Sequence, residues 1–128
     1  MILDASAVVA IALDEPEREI FVGKINAADS VAVGAPTLVE AGIVLSARIG
    51  QDASAVLVEL LAAADAVVIE FGQRHWIVAI SAWRRFGKGR HPAGLNFGDC
   101  LTYATALVAG EPLLAKGDDF AQTDIPLA

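Results

Sequence analysis

Residues 1–13 have the sequence MILDASAVVAIAL, an apolar run that is interrupted by one acidic residue, Asp4. The first three residues are apolar and lead directly into a helical stretch, a pattern that is typical of a buried parallel strand followed by a helix. Burial of an unpaired carboxylate would cost roughly several kcal/mol. We therefore place Asp4 at the end of the strand, where it can cap the helix with the help of Ser6.

Short apolar strands alternate with helices along the rest of the chain. Strands are predicted at 1–4, 30–33, 66–69 and 112–115, with a short edge strand at 125–127. Helices are predicted at 5–13, 16–28, 37–49, 53–64, 73–86 and 97–109. This alternation predicts an α/β fold with a small, mostly parallel sheet. The 128 residues contain no repeat or linker, so we expect one domain over residues 1–128.

The composition excludes several classes of protein. Hydrophobic residues make up 55% of the chain and the net charge is −7, so a general binder of phosphate backbones is excluded unless it has a local basic patch. The single cysteine, Cys100, allows no internal disulfide. Without a signal peptide or an apolar run long enough to span a membrane, we expect a soluble cytoplasmic protein.

Acidic residues follow several of the predicted strands. Asp4, Glu40 and the pair Asp118 and Asp119 each come after a strand, and the carboxyl ends of parallel strands meet at the edge where α/β folds bind ligands. Asp99 follows a helix and a loop, so this argument does not place it. Each acid alone is also explained as a helix cap, as in the capping-box pattern TLVE at 37–40.

Several carboxylates at one edge would repel each other unless a cation lay between them. Oxygen ligands of this kind suit Mg²⁺ or Mn²⁺. One cysteine and two separated histidines, His75 and His91, cannot form the usual zinc site. An acidic cluster with a divalent cation is typical of enzymes that cleave phosphodiesters.

Four motifs occur in order along the chain: DASA at 4–7, TLVEA at 37–41, GLNFGDC at 94–100 and LLAKGDDFAQTDI at 113–125. With these motifs the whole chain resembles the PIN-domain ribonucleases of the VapC type, which are the toxins of bacterial toxin–antitoxin pairs. The resemblance implies a three-layer α/β/α sandwich. It also implies endoribonuclease activity that depends on Mg²⁺ or Mn²⁺.

The resemblance further implies a role for individual residues. The family's acidic quartet falls on Asp4, Glu40, Asp99 and one residue of the last motif, for which we favour Asp119 and keep Asp118 as the alternative. Asp4 and Asp99 are the implied metal ligands. Ser6 would orient the first carboxylate or a metal-bound water, and Asn96 would orient the third acid or act only as a helix cap.

Four of the nine basic residues lie within one short stretch: Arg84, Arg85, Lys88 and Arg90. Such a local reversal of charge favours contact with RNA phosphates, with an aromatic neighbour stacking on a base. The alternatives are a solvated helix end or a contact with an acidic segment of an antitoxin. Trp76 and Trp83 are seven residues apart, so we expect at least one of them in the core.

The large apolar content predicts a surface that another chain covers. We expect the helices at 16–28 and 37–49 to hold an antitoxin segment in a groove. The resemblance implies a VapB-like antitoxin and a toxin homodimer. Two other functions remain open, namely a PIN nuclease of RNA processing without a toxin role and a binding module whose acids only cap helices.

Overall fold

The structure is a computed structural model that describes residues 1–128. Four short strands form one sheet in the order β3-β2-β1-β4, and every neighbouring pair is parallel. The strands are β1 (Ile2–Leu3), β2 (Ala32–Gly34), β3 (Val67–Ile69) and β4 (Leu113–Leu114). The predicted α/β class is confirmed, and the sheet is wholly rather than mostly parallel.

Six α-helices connect and cover the strands, and each begins and ends within two residues of its prediction. They are α1 (Ala5–Ala12), α2 (Arg18–Ala27), α3 (Ala35–Ile49), α4 (Ser54–Ala63), α5 (Gln73–Phe86) and α6 (Phe97–Ala109), followed by a 3-10 turn at Phe120–Gln122. The prediction of an edge strand at 125–127 is wrong, because only Leu127 pairs, in a single bridge with Leu113.

The sheet lies between two hydrophobic cores. Leu3, Val33 and Leu114 face the core that α1 to α4 cover. Ile2 and Leu113 face the other core, which α5 and α6 cover. Since successive side chains of a strand point to opposite faces, two adjacent apolar residues supply both cores. This arrangement is the predicted α/β/α sandwich.

Helix α3 begins two residues earlier than predicted. Gly34 takes the cap position and Pro36 lies in the first turn, where its missing N–H leaves no hydrogen bond unmade. Thr37 is therefore inside the helix, and the capping box expected at 37–40 does not form. The buried Thr37 hydroxyl instead shares a 3.1 Å hydrogen bond with the hydroxyl of Thr102 on α6, which joins the two helices that carry Glu40 and Asp99.

The expectation that one tryptophan lies in the core is wrong. Trp76 and Trp83 are 48% and 44% exposed, because α5 buries its Ala79, Ala82 and Phe86 face instead. None of the helices combines the length and the apolar character that a membrane crossing requires.

Candidate active site

A pocket of about 360 Å³ opens at the carboxyl edge of the sheet. Five of the residues predicted from the sequence line it: Asp4, Ser6, Glu40, Asn96 and Asp99. The remaining lining residues are Ala5, Val9, Glu15, Val44, Arg48 and Lys116. Asp4 after β1 and Glu40 in α3 therefore come together as the parallel sheet predicted. Asp99 joins them from the first turn of α6.

Asp4 is held by a chain of hydrogen bonds that begins at the far side of the pocket. The backbone N–H of Lys116 donates to the Ser6 hydroxyl over 2.9 Å, and this hydroxyl donates to Asp4 Oδ2 over 2.5 Å. The N–H of Ser6 donates to the same oxygen. Asp4 is only 5% exposed, and Oδ1 is the oxygen that these bonds leave free.

Asp99 is fixed by a reciprocal pair of hydrogen bonds with Asn96 at the start of α6. The Asn96 N–H donates to Asp99 Oδ2 over 2.8 Å, and the Asp99 N–H donates to Asn96 Oδ1 over 2.9 Å. This is a capping box, in which each side chain satisfies the other residue's backbone. The Asn96 side chain therefore caps α6, whereas the backbone N–H of Asn96 holds the Asp99 carboxylate. A role of the Asn96 side chain in orienting the acid stays a prediction.

Glu40 packs against Gly98, the residue just before Asp99. A Cβ at Gly98 would lie 2.6 Å from the carboxyl carbon of Glu40, so only glycine allows this approach without displacing the carboxylate. Burial raises the pKa of Glu40, and the charges of Asp4 and Asp99 raise it further. The negative charges of Asp4 and Asp99 therefore repel that of Glu40 across the pocket.

The pKa of Asp99 is also raised, chiefly by burial. The hydrogen bond from Asn96 opposes this shift, whereas the charges of Asp4 and Asp119 add to it. Asp118 is not among the charges that act on Asp99. Neither Asp118 nor Asp119 lines the pocket, so the identity of the fourth acid remains a prediction. Asp119 is the one of the two whose charge acts on Asp99.

No three acidic, histidine or cysteine side chains lie close enough to form a complete metal site. The donor set nevertheless fits Mg²⁺ or Mn²⁺, because Asp4 and Asp99 each have a carboxylate oxygen outside their capping bonds. Mg²⁺ in proteins usually takes one or two carboxylates and fills its other positions with water or phosphate oxygens. A cation would also offset the charge that raises the pKa of Glu40 and Asp99.

The basic segment lies outside the acidic pocket, and two of its four members have partners of their own. Arg85 pairs with Asp124 over 2.6 Å, and Asp124 also accepts from the buried hydroxyl of Tyr103. The Arg90 guanidinium lies 4.1 Å from the centre of the Trp83 ring. Arg84 and Lys88 form no ion pair. RNA binding by this segment stays a prediction, and Arg84 and Lys88 are its best candidates for phosphate contacts.

Sequence reasoning missed three charged residues of the pocket and one glycine. Glu15, Arg48 and Lys116 form a bridged group on one wall, and Gly98 supports Glu40. Gly98 directly precedes Asp99 in the motif GLNFGDC, and this position next to a predicted site residue was the available signal for its role. Arg48 had no such signal, because it is the last-turn cation of a helix and lies far from every motif.

The fold and the motifs match known proteins over nearly the whole chain. The PIN domain family matches residues 1–126. A VapC ribonuclease of Mycobacterium bovis is 44% identical over 126 residues, which are 98% of this chain and 91% of the relative. Ribonuclease VapC36 of Mycobacterium tuberculosis matches equally well, and ribonuclease VapC of Mycolicibacterium smegmatis is 39% identical over 98% of this chain and 97% of its own.

Solved structures share the same architecture. VapC20 of Mycobacterium tuberculosis, described as a toxin that cleaves the sarcin–ricin loop, has a TM-score of 0.80 at 15% identity and covers 99% of this chain and 97% of its own. A toxin–antitoxin complex from Klebsiella pneumoniae has a TM-score of 0.72 at 16% identity, with 99% and 95% covered. Together with the motifs at the pocket, these matches place the chain in the PIN-domain family, among relatives named VapC ribonuclease.

Proposed function

We propose that the chain is an endoribonuclease that depends on Mg²⁺ or Mn²⁺ and that acts as the toxin of a toxin–antitoxin pair. The observation that carries this proposal is the convergence of Asp4, Glu40 and Asp99 in one pocket at the carboxyl edge of the sheet. The relatives named ribonuclease support the choice of RNA over other phosphodiesters. A module whose acids only cap helices would not need Glu40, which caps nothing.

Asp4 and Asp99 are the residues that would hold the cation. When bound, the cation would activate a water molecule and stabilise negative charge on the phosphate. Ser6 and Asn96 keep the two carboxylates in place through short hydrogen bonds, so little reorganisation is needed when substrate binds. Glu40 lines the same pocket as the two ligands and would orient the attacking water, and Asp119 would complete the acidic quartet.

Cleavage of RNA by the purified chain tests this proposal. We expect cleavage in Mg²⁺ or Mn²⁺ that stops on chelation, and a loss of at least about 100-fold in the Asp4→Asn variant, since even outer partners of metal ligands cost 10–100-fold. Asparagine can still accept the Ser6 hydrogen bonds and cap α1, so the variant should fold. Equal cleavage by the wild type and Asp4→Asn, purified in the same way, would show that the activity does not come from this pocket.

An apolar groove between α2 and α4 is the better candidate for an antitoxin segment than the predicted groove between α2 and α3. Helices α1, α2 and α4 enclose a groove of about 360 Å³ lined by residues such as Val22, Val56 and Leu60, and α3 contributes no residue to it. An amphipathic helix would bury its apolar face there. The structurally similar toxin–antitoxin complex from Klebsiella pneumoniae supports such a partner.

Toxicity separates a toxin from a nuclease of RNA processing. We expect expression of the wild-type chain to arrest growth and co-expression of a small protein encoded beside it to restore growth. The Asp4→Asn variant serves as the matched control, because it keeps the groove and should be harmless without the partner. Growth that is unaffected by an active wild-type enzyme would favour the processing nuclease.

A second apolar surface supports a homodimer. Phe97 is 80% exposed and stands between two apolar pockets of about 350 and 610 Å³, which share Phe97 and Leu101. A protruding ring beside a cavity large enough to receive one makes a self-complementary surface, as a twofold interface requires. We expect light scattering to give a dimer mass for the wild type and a monomer mass for Phe97→Ser, and a monomeric wild type would refute this interface.

A further inference from the structure

One wall of the acidic pocket carries two cations. Arg48 comes from the last turn of α3 and Lys116 follows β4, and both line the pocket together with Asp4, Glu40 and Asp99. The mechanism described above gives neither of them a role. They are also separate from the basic segment at Arg84–Arg90, which does not reach the pocket.

A single carboxylate bridges these two cations. Glu15 Oε2 lies 2.8 Å from Lys116 Nζ, and Glu15 Oε1 lies 3.6 Å from the Arg48 guanidinium. Glu17 forms a second ion pair with Lys116 at 3.0 Å. Arginine and lysine bind phosphate oxygens in the same way as they bind carboxylates, so Glu15 occupies a position that also suits a phosphate.

The charge of the pocket explains why such a position would be needed. Four carboxylates and two cations line the pocket, and the resulting excess of negative charge repels an RNA backbone. Arg48 and Lys116 are the cations through which the pocket wall can attract a phosphate. A substrate phosphate that displaced Glu15 would exchange one anion for another and leave both cations paired.

The backbone of Lys116 is also tied to the first acid of the pocket. The backbone N–H of Lys116 donates to Ser6, whose hydroxyl donates to Asp4. A phosphate on the Lys116 side chain would therefore lie within the reach of one lysine side chain from Ser6, the partner of the first metal ligand.

We propose that Arg48 and Lys116 form a binding site for an RNA backbone phosphate that neighbours the cleaved one, and that Glu15 occupies this site in the free protein. This inference rests on the proposed ribonuclease function. Glu15 acts as a competitor that the RNA displaces, and the two cations contribute to RNA binding rather than to the bond-breaking step.

RNA binding in a cleavage-deficient background tests the inference. A labelled single-stranded RNA of mixed sequence is titrated into the Asp99→Asn protein at several salt concentrations, alone and combined with Arg48→Gln, Lys116→Met or Glu15→Gln. We expect each cation variant to weaken binding about 5-fold or more and to lower the salt slope by about 0.7, the value for one phosphate contact on a single strand. Arg74→Gln, an exposed arginine outside the pocket and without an ion pair, is the matched control.

The direction in which Glu15→Gln changes RNA affinity decides whether the two cations bind RNA or the ion pairs only stabilise the fold. If the cations bind RNA, Glu15→Gln, which frees Arg48 and leaves Lys116 with Glu17 as its remaining partner, should tighten binding several-fold, and this gain should disappear when Arg48→Gln and Lys116→Met are also present. If the pairs only brace the fold, the same change should leave binding unchanged or weaken it, which overturns the inference, as would unchanged affinity and slope in both cation variants. Because partly exposed ion pairs contribute little to stability, all variants should fold, and their melting temperatures verify this.

The outcome is independent of the test of the proposed function. If wild-type cleavage is insensitive to chelation and to Asp4→Asn, the proposed function fails whatever the cations do. If cleavage behaves as expected and the cation variants bind RNA normally, only the present inference fails. In the otherwise wild-type enzyme, we expect Lys116→Met to raise KM more than it lowers kcat, as the loss of a uniform binding contact does.

Discussion

The Asp99→Asn variant is expected to lose RNA cleavage by at least about 100-fold while its fold becomes slightly more stable. The amide oxygen of asparagine can still accept the Asn96 N–H, so the capping box at the start of α6 survives. The charge that would hold the cation is lost, and loss of a metal ligand costs more than the 10–100-fold typical of its outer partners. Cleavage rates with saturating Mg²⁺ measure the effect.

The gain in stability follows from the direction of the pKa shift. The pKa of Asp99 is raised, mainly by burial, so the folded protein holds this proton to a higher pH than the unfolded chain does. Stability therefore falls as the pH rises from the ordinary carboxyl range through the raised pKa. Asparagine has no charge to bury, and at neutral pH we expect the melting temperature to rise by on the order of 2 °C.

Two controls make this prediction specific. Lowering the pH through the same window should remove the advantage of Asp99→Asn, because the wild-type carboxyl then carries its proton. Addition of Mg²⁺ should stabilise the wild type, since a ligand that binds only the folded state raises its stability, and should leave the variant unchanged. A variant that is less stable than the wild type at neutral pH, or that responds equally to Mg²⁺, would contradict the assignment of Asp99.

The Gly98→Ala variant is expected to lose about 10- to 100-fold in cleavage with little change in stability. The added methyl group would overlap the Glu40 carboxylate, and the end of a flexible side chain moves more easily than the helix. Glu40 would then leave its place in the pocket that it shares with Asp4 and Asp99, and a displacement of about 1 Å is enough to cost about 100-fold. Single-turnover cleavage and thermal melting together measure the two effects.

Gly23 offers a matched control for this substitution. It also lies within a helix, α2, but a Cβ there meets no atom within 4 Å. Gly23→Ala should raise the free energy of unfolding by up to about 1 kcal/mol and leave cleavage unchanged. Full activity in Gly98→Ala would mean that cleavage does not require Glu40 at its observed position.

The order of the elements was predictable because apolar strands and helices differ in length and period over short stretches. The run MILDASAVVAIAL contains both signals, and the structure places β1 and α1 where it predicts them. The errors occurred where local patterns compete with packing. Thr37 has the sequence context of a helix cap, but Gly34 and Pro36 start the helix earlier, and the threonine hydroxyl pairs with Thr102 across the core.

The sequence by itself determined the fold class, the acids Asp4 and Glu40 at the ends of parallel strands, and the motif that contains Asp99. These features depend on short-range patterns and on the rule that parallel strands end at one edge. The resemblance implied that Asp99 joins these acids, and the tertiary structure shows it in the same pocket. Only the tertiary structure decided that Gly98 supports Glu40 and that Arg48, Lys116 and Glu15 meet on the pocket wall. Those contacts join residues far apart in the chain, so their geometry is set by packing of helices on the sheet rather than by any local pattern.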